Sequence, residues 1–408
     1  MCEKKLVPKL RFSGFNETWV KSNLGNVSSD EMYGMNSAAT DFDGFNKYIR
    51  ITDISESSNK FVPSPLTSPD GNLDEKFKLK EGDIVFARTG ASTGKTYIYD
   101  KNDGNLYFAG FLIKFNINKA YPKFVFYNTL KDEYKNWVSV MSVRSGQPGI
   151  NSNEYKKLPL NIPSLDEQKK ISDFLESIDS KINLLKKKYE YYQEFKKYLM
   201  QQIFAGKLRF NDNNNEPYEN WEGLQLKDII SLQGGYAFKS ELFKDEGVPI
   251  IRISNISPNN SVILDDLVYY DKLDNDSDFI IKKGELIIAM SGATTGKVGV
   301  YDLDQIAYIN QRVGLFKQIS NELYYPFLIQ YTLSDTFKRE LQKTLVAGAQ
   351  PNISKKEIES FKINLPQYGE QKKIADLLFN IDLKINTVKN QSTEISQFKK
   401  GLLQQMFV

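Results

Sequence analysis

The stretch DEQKKISDFLESIDSKINLLKKKYEYYQEFKKYLMQQIF, Asp166–Phe204, lies in the middle of the chain and is repeated at the C-terminal end as GEQKKIADLLFNIDLKINTVKNQSTEISQFKKGLLQQMF, Gly369–Phe407. In both copies apolar residues recur at alternating spacings of four and three. Each copy therefore predicts one long helix, of about 55–60 Å at the usual rise per residue. A sustained apolar repeat of about 3.5 residues indicates the seam of a coiled coil.

The seam is interrupted at Lys196 in the first helix and at Ser392 and Lys399 in the second. Such helices pack either on their own domains or on each other, and the repeated seam favours packing on each other. The residues predicted for this coiled-coil and subunit interface are Ile171, Leu175, Ile178, Ile182, Leu185, Ile374, Leu378, Ile381, Ile385 and Val388.

The composition is that of an ordinary soluble protein, with 40% hydrophobic and 26% charged residues. The sequence has no apolar run of membrane-spanning length and no basic-then-apolar leader, so we expect a protein that is neither membrane-bound nor secreted. The single cysteine, Cys2, has no partner for an internal disulfide, which fits a reducing cytoplasm. The sequence thus predicts a cytoplasmic location.

Histidine is absent, which excludes several classes of active site. Neither a Ser-His-Asp nor a Cys-His nucleophile pair is available, and no histidine-based zinc site can form. With one cysteine there is no thiolate cluster either, so no metal site is predicted. The net charge of +3 neither indicates nor excludes a nucleic-acid partner, because local basic faces matter more than totals.

Much of the sequence occurs twice, as an internal repeat. Tyr48–Ser55 matches Ile250–Ser257, and Thr89–Lys95 (TGASTGK) matches Ser291–Lys297 (SGATTGK), each pair 202 residues apart. Further matches are Phe77–Val85 with Phe279–Ile287, Trp19 with Trp221, and Gln147–Ile150 with Gln350–Ile353. A period near 200 residues predicts a tandem duplication of whole domains rather than a solenoid.

The duplication is circular. Lys9–Phe12 (KLRF) matches Lys207–Phe210, which follows the first helix, whereas the second helix reaches Phe407 near the end of the chain. The residues that should follow the second helix are therefore found at the N-terminus. This order predicts an antiparallel helix pair with pseudo-two-fold symmetry, a globular domain at each end of the pair, and neighbouring termini.

The predicted fold class is α+β, with two homologous β-rich mixed α/β domains joined by the two long helices. Within each domain, Phe124–Trp137 and Pro326–Leu341 are predicted to be helical. We expect domains at residues 1–163, with 1–18 pairing with the end of the second helix, and at 211–366. The central helix then occupies 164–210 and the C-terminal helix 367–408.

Two enzymatic interpretations fail on spacing. Gly90–Thr96 resembles a phosphate-binding loop, but three residues instead of four separate its glycines and a strand, not a helix, is predicted to follow. A tight turn between strands is the better interpretation, and a lysine on it can still contact a DNA phosphate. A nuclease cluster of Asp70, Glu81 and Asp83 is not repeated, because Lys283 replaces Glu81 in the second copy. Neither methyl transfer nor ATP turnover has a visible site.

In order and content these motifs resemble those of the DNA-specificity subunit of type I restriction–modification systems. The resemblance covers essentially the whole chain. It rests on the Gly-rich turn, the Gln-Pro-x-Ile stretch, a strand ending in Pro, and Glu-Gln-Lys-Lys-Ile at Glu167–Ile171 and Glu370–Ile374, all occurring twice.

The resemblance implies a non-catalytic subunit whose two globular domains are target recognition domains, each recognising one half of an asymmetric, bipartite site in double-stranded DNA. The coiled coil would set the spacer. Two methyltransferase subunits, and through them restriction/translocase subunits, would be recruited, and these partners would hold S-adenosylmethionine, ATP and Mg; no cofactor is expected in this chain. The alternative is a coiled-coil adaptor that binds protein and not DNA.

Base recognition favours Arg, Asn and Gln, and phosphate contacts favour Lys and Arg. Arg50 and Arg252 occupy the same place in the two repeats. They therefore either have a structural role in both or bind the DNA backbone in both. The candidate DNA-binding residues are Arg50, Arg88, Lys95, Arg144, Gln147, Lys239, Arg252, Lys297, Gln311, Arg312 and Gln350.

Overall fold

The computed structural model describes residues 6–144, 146–347 and 352–408. The chain divides into two compact units, unit 1 with Met1–Lys187 and Lys389–Val408, and unit 2 with Lys188–Val388. Each unit therefore contains one globular domain and half of each long helix. The expected division treated the helices as separate segments, whereas the units of the structure divide both helices near their middle.

Unit 1 is built around a four-stranded antiparallel sheet in the order β2-β9-β6-β7, with the smaller pairs β1-β10, β3-β5 and β4-β8. The strands are β1 (Val20–Asn23), β2 (Ser28–Tyr33), β3 (Ala39–Asp41), β4 (Lys47–Ile49), β5 (Thr67–Pro69), β6 (Asp83–Ala87), β7 (Thr96–Ile98), β8 (Leu106–Phe108), β9 (Leu112–Ile117) and β10 (Pro159–Ile162). The helices are α1 (Leu24–Val27), α2 (Pro122–Asn128), α3 (Asp132–Met141), α4 (Ser152–Tyr155) and the first half of α5 (Leu165–Phe204).

Unit 2 repeats this sheet as β12-β19-β16-β17, beside the sheet β14-β13-β18-β15 and the pair β11-β20. The strands are β11 (Glu222–Gln225), β12 (Ile230–Gly234), β13 (Val248–Ile251), β14 (Val268–Tyr270), β15 (Ile280–Ile281), β16 (Leu286–Ala289), β17 (Val298–Val300), β18 (Ala307–Ile309), β19 (Val313–Gln318) and β20 (Lys362–Leu365). The helices are α6 (Tyr325–Thr332), α7 (Asp335–Ala347), α8 (Lys355–Glu359) and the first half of α9 (Tyr368–Gln405).

One inner strand of the sheet β2-β9-β6-β7 and its counterpart in β12-β19-β16-β17, namely β6 and β16, are buried on both faces, and we call them the central strands. Alternate residues of a strand point to opposite faces, so Ile84 and Phe86 pack in one core while Val85 and Ala87 pack in another. In β16, Ile287 and Ala289 likewise pack in one core while Leu286 and Ile288 pack in another. This double burial explains why both strands are nearly continuous apolar runs.

The long helices pack on each other within each unit. In unit 1 the first half of α5, through Ile171, Leu175 and Ile178, contacts Leu402 and Met406 from the end of α9. In unit 2 the first half of α9 packs in the same way on the end of α5. The first half of one helix meets the last half of the other, so the pairing is antiparallel. The predicted α+β fold class is confirmed.

Both lysines that interrupt the apolar seam have a partner on the opposite helix. Lys196 Nζ lies 2.7 Å from Asp382 Oδ2 in unit 2, and Lys399 Nζ lies 2.6 Å from Asp179 Oδ1 in unit 1. The lysine side chains are 12% and 14% exposed, so each ammonium group is largely desolvated. A buried polar pair in an apolar seam selects one register, because a shift of either helix would leave both charges unpaired.

We expect Lys196→Asp and Asp382→Lys each to destabilise the chain by about 1.5–3 kcal/mol, the usual contribution of a hydrogen bond to a charged group, and the double variant to recover most of that loss. Urea unfolding of the full-length chain measures the three values. Lys343→Asp, at an exposed helical pair with Glu340, is the matched control and should change stability by less than about 1 kcal/mol. A double variant as unstable as the sum of its parts would refute the register role.

The N-terminal segment at Lys9–Phe12 is bonded to the end of α9. Its counterpart in the repeat, Lys207–Phe210, is bonded in a similar way to the end of α5. The Leu10 N–H donates to Gln405 O at 2.9 Å, and the Leu208 N–H donates to Gln202 O at 3.1 Å. Arg11 then forms a bidentate salt bridge with Glu167 at the start of α5. These hydrogen bonds place the N-terminal residues after the second helix, as the circular order of the repeat predicts.

The Glu-Gln pair that opens each long helix is buried and joins it to the globular domain. The Gln168 side chain accepts from the Tyr121 N–H at 2.8 Å and donates to Pro163 O at 2.9 Å. Gln371 makes the same two bonds, with the Tyr324 N–H and with Pro366 O, each at 2.8 Å. The motif is therefore a structural clamp between helix and domain.

The helix predicted at Phe124–Trp137 is wrong in its continuity, since α2 and α3 are separate. The Thr129 hydroxyl donates to Phe126 O at 2.7 Å and ends α2, and Lys131 is extended before α3 begins. Side-chain bonds of this kind compete with helical hydrogen bonds. The second predicted helix, Pro326–Leu341, is broken at the equivalent place between α6 and α7.

Among the described residues, none of the helices combines the length and the apolar character that a bilayer span requires.

Candidate nucleic-acid interface

One three-residue turn has the same backbone in both units. Ala109–Phe111 joins β8 to β9, and Asn310–Arg312 joins β18 to β19. We call these segments the tip turns. Each is closed by a hydrogen bond from the following strand to its first residue, from the Leu112 N–H to Ala109 O at 2.9 Å and from the Val313 N–H to Asn310 O at 2.8 Å.

The tip turns are also held by the same neighbours. The last residue of each accepts from the end of the central strand, from the Arg88 N–H at 3.0 Å and from the Met290 N–H at 2.9 Å. A glycine passes close beside each turn, because a Cβ on Gly34 would lie 2.2 Å from Ala109 O and one on Gly235 2.2 Å from Ile309 O. The backbone frame is thus fixed in both units.

The side chains on this common frame differ. In unit 1 Ala109 is buried and Gly110 has no side chain, while Phe111 is 57% exposed. In unit 2 Gln311 and Arg312 are exposed. The two turns therefore present an aromatic ring in one unit and a carboxamide with a guanidinium group in the other.

Two of the predicted DNA-binding residues, Arg88 and Gln147, belong to segments that are hydrogen-bonded around the tip turn of unit 1. The Arg88 guanidinium lies 4.9 Å from the centre of the Tyr33 ring, in cation–π geometry. Burial raises the pKa of the Tyr33 hydroxyl, but hydrogen bonds to Ser152 and the nearby Arg88 charge outweigh it and lower the pKa below its usual value. Arg88 is thus oriented by an aromatic platform at the edge of the turn.

Gln147 begins the Gln-Pro-Gly-Ile stretch, which is hydrogen-bonded to Arg88 and Gly90, and Arg144 precedes that stretch in the chain. The Ile150 N–H donates to Arg88 O and the Gly90 N–H donates to Pro148 O, both at 2.9 Å. Gln147 is exposed, whereas Arg144 is held by two 2.6 Å bonds to Glu154. The Gln-Pro-Gly-Ile stretch is therefore a neighbour of the Gly-rich turn, although about 55 residues separate them in sequence.

The Gly-rich turns are structural. A Cβ on Gly94 would lie 2.6 Å from the Val138 side chain, and one on Gly296 would lie 2.1 Å from that of Leu341, so each turn is packed against a helix of its own domain. A strand follows each turn, β7 or β17, as predicted. Of the two turn lysines, Lys95 pairs with Glu56 at 2.9 Å.

Arg50 and Arg252 are engaged within their own loops. Arg50 forms two 2.9 Å bonds to the Asp53 carboxylate, and this hydrogen bonding raises the pKa of its guanidinium group. Arg252 donates to Asp266 O at 2.6 Å. Of the two interpretations of this repeated arginine, these contacts favour the structural one.

The remaining predicted residues belong to other segments of the chain or lie outside the described residues. Lys239 is exposed and Lys297 is half-buried. Gln350 lies outside the described residues. Phe111, Tyr33 and the half-exposed Tyr236 were not predicted. The sequence carries little signal for these turns, because Phe108–Phe111 (FAGF) and Ile309–Arg312 (INQR) share no residue.

The predicted coiled-coil residues are buried, apart from Ile385, which is half-buried. A second apolar stripe lies on α5 outside this seam. Tyr191, Phe195 and Tyr198 are all exposed, and the first two rings stack with centroids 6.1 Å apart. Their spacing of four and three residues places them on one face of the helix, and we call them the aromatic stripe.

Within the described ranges, there is no group of three or more His, Cys, Asp or Glu side chains that could hold a metal ion.

The sequence model of one family, described as the type I restriction modification DNA specificity domain, matches this chain twice, at residues 16–191 and 218–397. Among curated proteins, the chain is 26% identical over 337 residues to the type I restriction enzyme MjaVIII specificity subunit of Methanocaldococcus jannaschii, covering 80% of this chain and 78% of that protein. It is 28% identical over 350 residues to the putative MjaX specificity subunit of the same organism, with the same coverage.

The fold is similar to that of a type I restriction–modification S subunit from M. genitalium, with a TM-score of 0.63 at 16% identity, covering 98% of this chain and 99% of the other. A chain from a structure of type I R-M complex assembly aligns with a TM-score of 0.57 at 18% identity, covering 97% and 98%.

Proposed function

The chain belongs to the family of type I restriction modification DNA specificity proteins, and on that premise we propose that it selects the DNA sequence on which a type I restriction–modification complex acts. Proteins of this family are non-catalytic, and catalysis resides in partner subunits. They assemble with other subunits and bind DNA. The resemblance found in the sequence is thereby confirmed.

The observation that carries the proposal is the pair of tip turns. Two domains share one backbone frame and present different side chains from it. Such domains contact different bases, because direct recognition depends on the donors, acceptors and apolar groups that reach the base edges. Each unit would thus recognise one half-site, and the whole site would be asymmetric.

We further propose that the paired helices set the number of unread base pairs between the half-sites. The chain passes from unit 1 to unit 2 at Lys187–Lys188, and returns at Val388–Lys389. Inserting one heptad at both places keeps the apolar seam and lengthens the pair by about 10 Å.

The double-heptad variant is expected to recognise the same two half-sites with a spacer about three base pairs longer, since a base pair rises about 3.4 Å. Long-read mapping of methylated bases in a host that carries the complex measures half-sites and spacer together. An insertion of the same heptad in the exposed linker at Asn213–Asn214 should leave the site unchanged. A functional double-heptad variant with the original spacer would show that the helices do not act as a ruler.

The partners that we propose are two methyltransferase subunits and, through them, restriction/translocase subunits, which would hold S-adenosylmethionine, ATP and Mg. The aromatic stripe of α5 supports a helix-face contact, because exposed clustered aromatic residues are typical of protein interfaces.

Tyr191→Glu combined with Phe195→Glu is expected to weaken binding of the methyltransferase subunit by about 30-fold or more, as for the loss of an interface hot spot. Co-purification and titration with the full-length chain measure the effect. Val346→Glu, an exposed apolar residue on α7 of the same unit, is the control and should bind normally. Unchanged binding by the double variant would place the contact on another face.

The adaptor alternative makes the opposite prediction for DNA. A specificity subunit should give its complex a duplex affinity that falls steeply with salt, since phosphate contacts release counterions. A complex without measurable, salt-dependent duplex binding would support the adaptor.

A further inference from the structure

We propose that the tip turn is the base-contacting element of each unit and that the two turns contact different chemical groups. Gln311 and Arg312 contact the hydrogen-bonding edges of purines in one half-site. Phe111 contacts the 5-methyl group of a thymine in the other half-site. This inference deepens the proposed function and rests on it.

The backbone around the two tip turns is held in the same way in both units. Four pairs of equivalent backbone hydrogen bonds surround the turns. Two are described above, and the others run from the Met35 and Tyr236 N–H groups to Phe108 O and Ile309 O, at 2.9 Å each, and from the Ala109 and Asn310 N–H groups to Ile49 O and Ile251 O, at 3.0 Å each. A frame this constant allows side chains to change without refolding, which a recognition element requires.

Arg312 differs from the other arginines in its contacts. All eight arginines of the chain lie in the described residues. Arg11, Arg50, Arg144 and Arg209 are bound to carboxylates, Arg252 and Arg339 to carbonyl oxygens, and Arg88 to an aromatic ring. Within that part of the chain, Arg312 is the one guanidinium group without a hydrogen bond, salt bridge or ring contact.

A free guanidinium group on a rigid turn suits base recognition. Its two parallel donors match O6 and N7 of guanine, the commonest specific contact in the major groove. The neighbouring Gln311 side chain is exposed and, within the described residues, has no hydrogen-bond partner. A glutamine carboxamide matches N6 and N7 of adenine. Unit 2 therefore presents two purine-reading groups side by side.

Phe111 occupies in unit 1 the position that Arg312 occupies in unit 2. A single exposed phenylalanine has no functional meaning by itself. Phe111 is distinguished by its place, because its carbonyl accepts the same backbone bond as that of Arg312, and by being the turn's one exposed side chain. An apolar side chain at a base-reading position distinguishes thymine through its methyl group. The backbone N–H of Arg88 is bonded to the same turn, while its guanidinium group lies over the Tyr33 ring.

The test replaces single atoms of the DNA. Full-length chain is assembled with its methyltransferase subunits, and the site is determined by mapping methylated bases. In duplexes with that site, each thymine of one half-site is replaced by deoxyuridine, which lacks only the methyl group. Each guanine of the other half-site is replaced by 7-deazaguanine, which lacks the N7 acceptor. Binding is measured for the parent, Phe111→Ala and Arg312→Ala complexes.

The parent complex should lose about fourfold in affinity at one deoxyuridine, the effect of one buried methyl group, and about tenfold at one 7-deazaguanine. Phe111→Ala should abolish the first loss and keep the second, and Arg312→Ala should do the reverse. Each variant is thus the control for the other. Both side chains are exposed, so the thermal unfolding midpoint should not move.

The outcomes separate the inference from the function on which it rests. Variants that retain the parent's sensitivity to both analogues overturn the tip-turn assignment while DNA recognition stands. A Phe111→Ala complex that bends DNA less but still senses deoxyuridine makes Phe111 a wedge between bases, which also overturns the methyl contact. A parent complex that binds no duplex overturns the proposed function itself.

Discussion

The Glu370→Ala variant is expected to be less stable than the parent chain by about 3–5 kcal/mol, the usual loss when a buried ion pair is left with one partner. Glu370 is fully buried at the start of α9. Its carboxylate accepts from Arg209 Nε at 2.7 Å and Nη2 at 2.8 Å, from the Phe210 N–H at 3.1 Å, and from Trp221 Nε1 at 2.9 Å. Alanine would remove this acceptor from Arg209 Nε, the Phe210 N–H and Trp221 Nε1, whereas Arg209 Nη2 keeps its 2.6 Å bond to Glu219 O.

Urea unfolding of the full-length chain measures this loss of stability, and two further variants serve as controls. Glu340→Ala removes a half-buried carboxylate of the same unit, whose partner Lys343 is exposed, and should change stability by less than about 1 kcal/mol. Glu167→Ala removes the equivalent group of unit 1 and should cost less than Glu370→Ala, because Trp19 Nε1 has no hydrogen-bond partner there. A Glu370→Ala chain as stable as Glu340→Ala would contradict the clamp.

The features that the sequence predicts well are those with a local period or a repeat. The long helices begin and end within a few residues of their predicted limits, since an apolar repeat of about 3.5 is maintained over many turns. The circular order follows from the match of Lys9–Phe12 with Lys207–Phe210. The Glu-Gln-Lys-Lys-Ile motif indicates the family, although only the structure shows that Glu370 and Gln371 act as buried clamps.

The features that the sequence does not predict depend on long-range contacts. Lys196 appears only as an interruption of the seam, because its partner Asp382 lies 186 residues away. The break between α2 and α3 depends on side-chain bonds of Thr129 that a helical pattern does not reveal.

The candidate DNA-binding residues show the same division. Residue type alone treats Arg50, Arg252 and Arg312 as equals, but only the fold shows which guanidinium groups are engaged. Phe111 was not predicted, because the candidates were chosen among polar and charged side chains. Its place becomes evident when the strands bring both tip turns into the same backbone frame.

The central claim is that each recognition domain reads its half-site independently, and an exchange within the chain tests it. The domain of unit 1 enters and leaves by β1 and β10, with Val20 opposite Ile162, and that of unit 2 by β11 and β20, with Glu222 opposite Leu365. Replacing residues 20–162 with a copy of residues 222–365 therefore joins chains at equivalent paired positions. The contact of Phe124 with Phe407 would be supplied by Phe327, which packs on Phe204 in unit 2.

The deciding measurement is the map of methylated bases in a host that carries this variant with its partner subunits, compared with the parent chain. Two copies of one recognition domain should convert the asymmetric site into a palindrome in which the half-site of unit 2 occurs twice in inverted orientation. A variant that assembles and still methylates the parent's asymmetric site, or one whose two half-sites both change to new sequences, would contradict independent recognition by the two units.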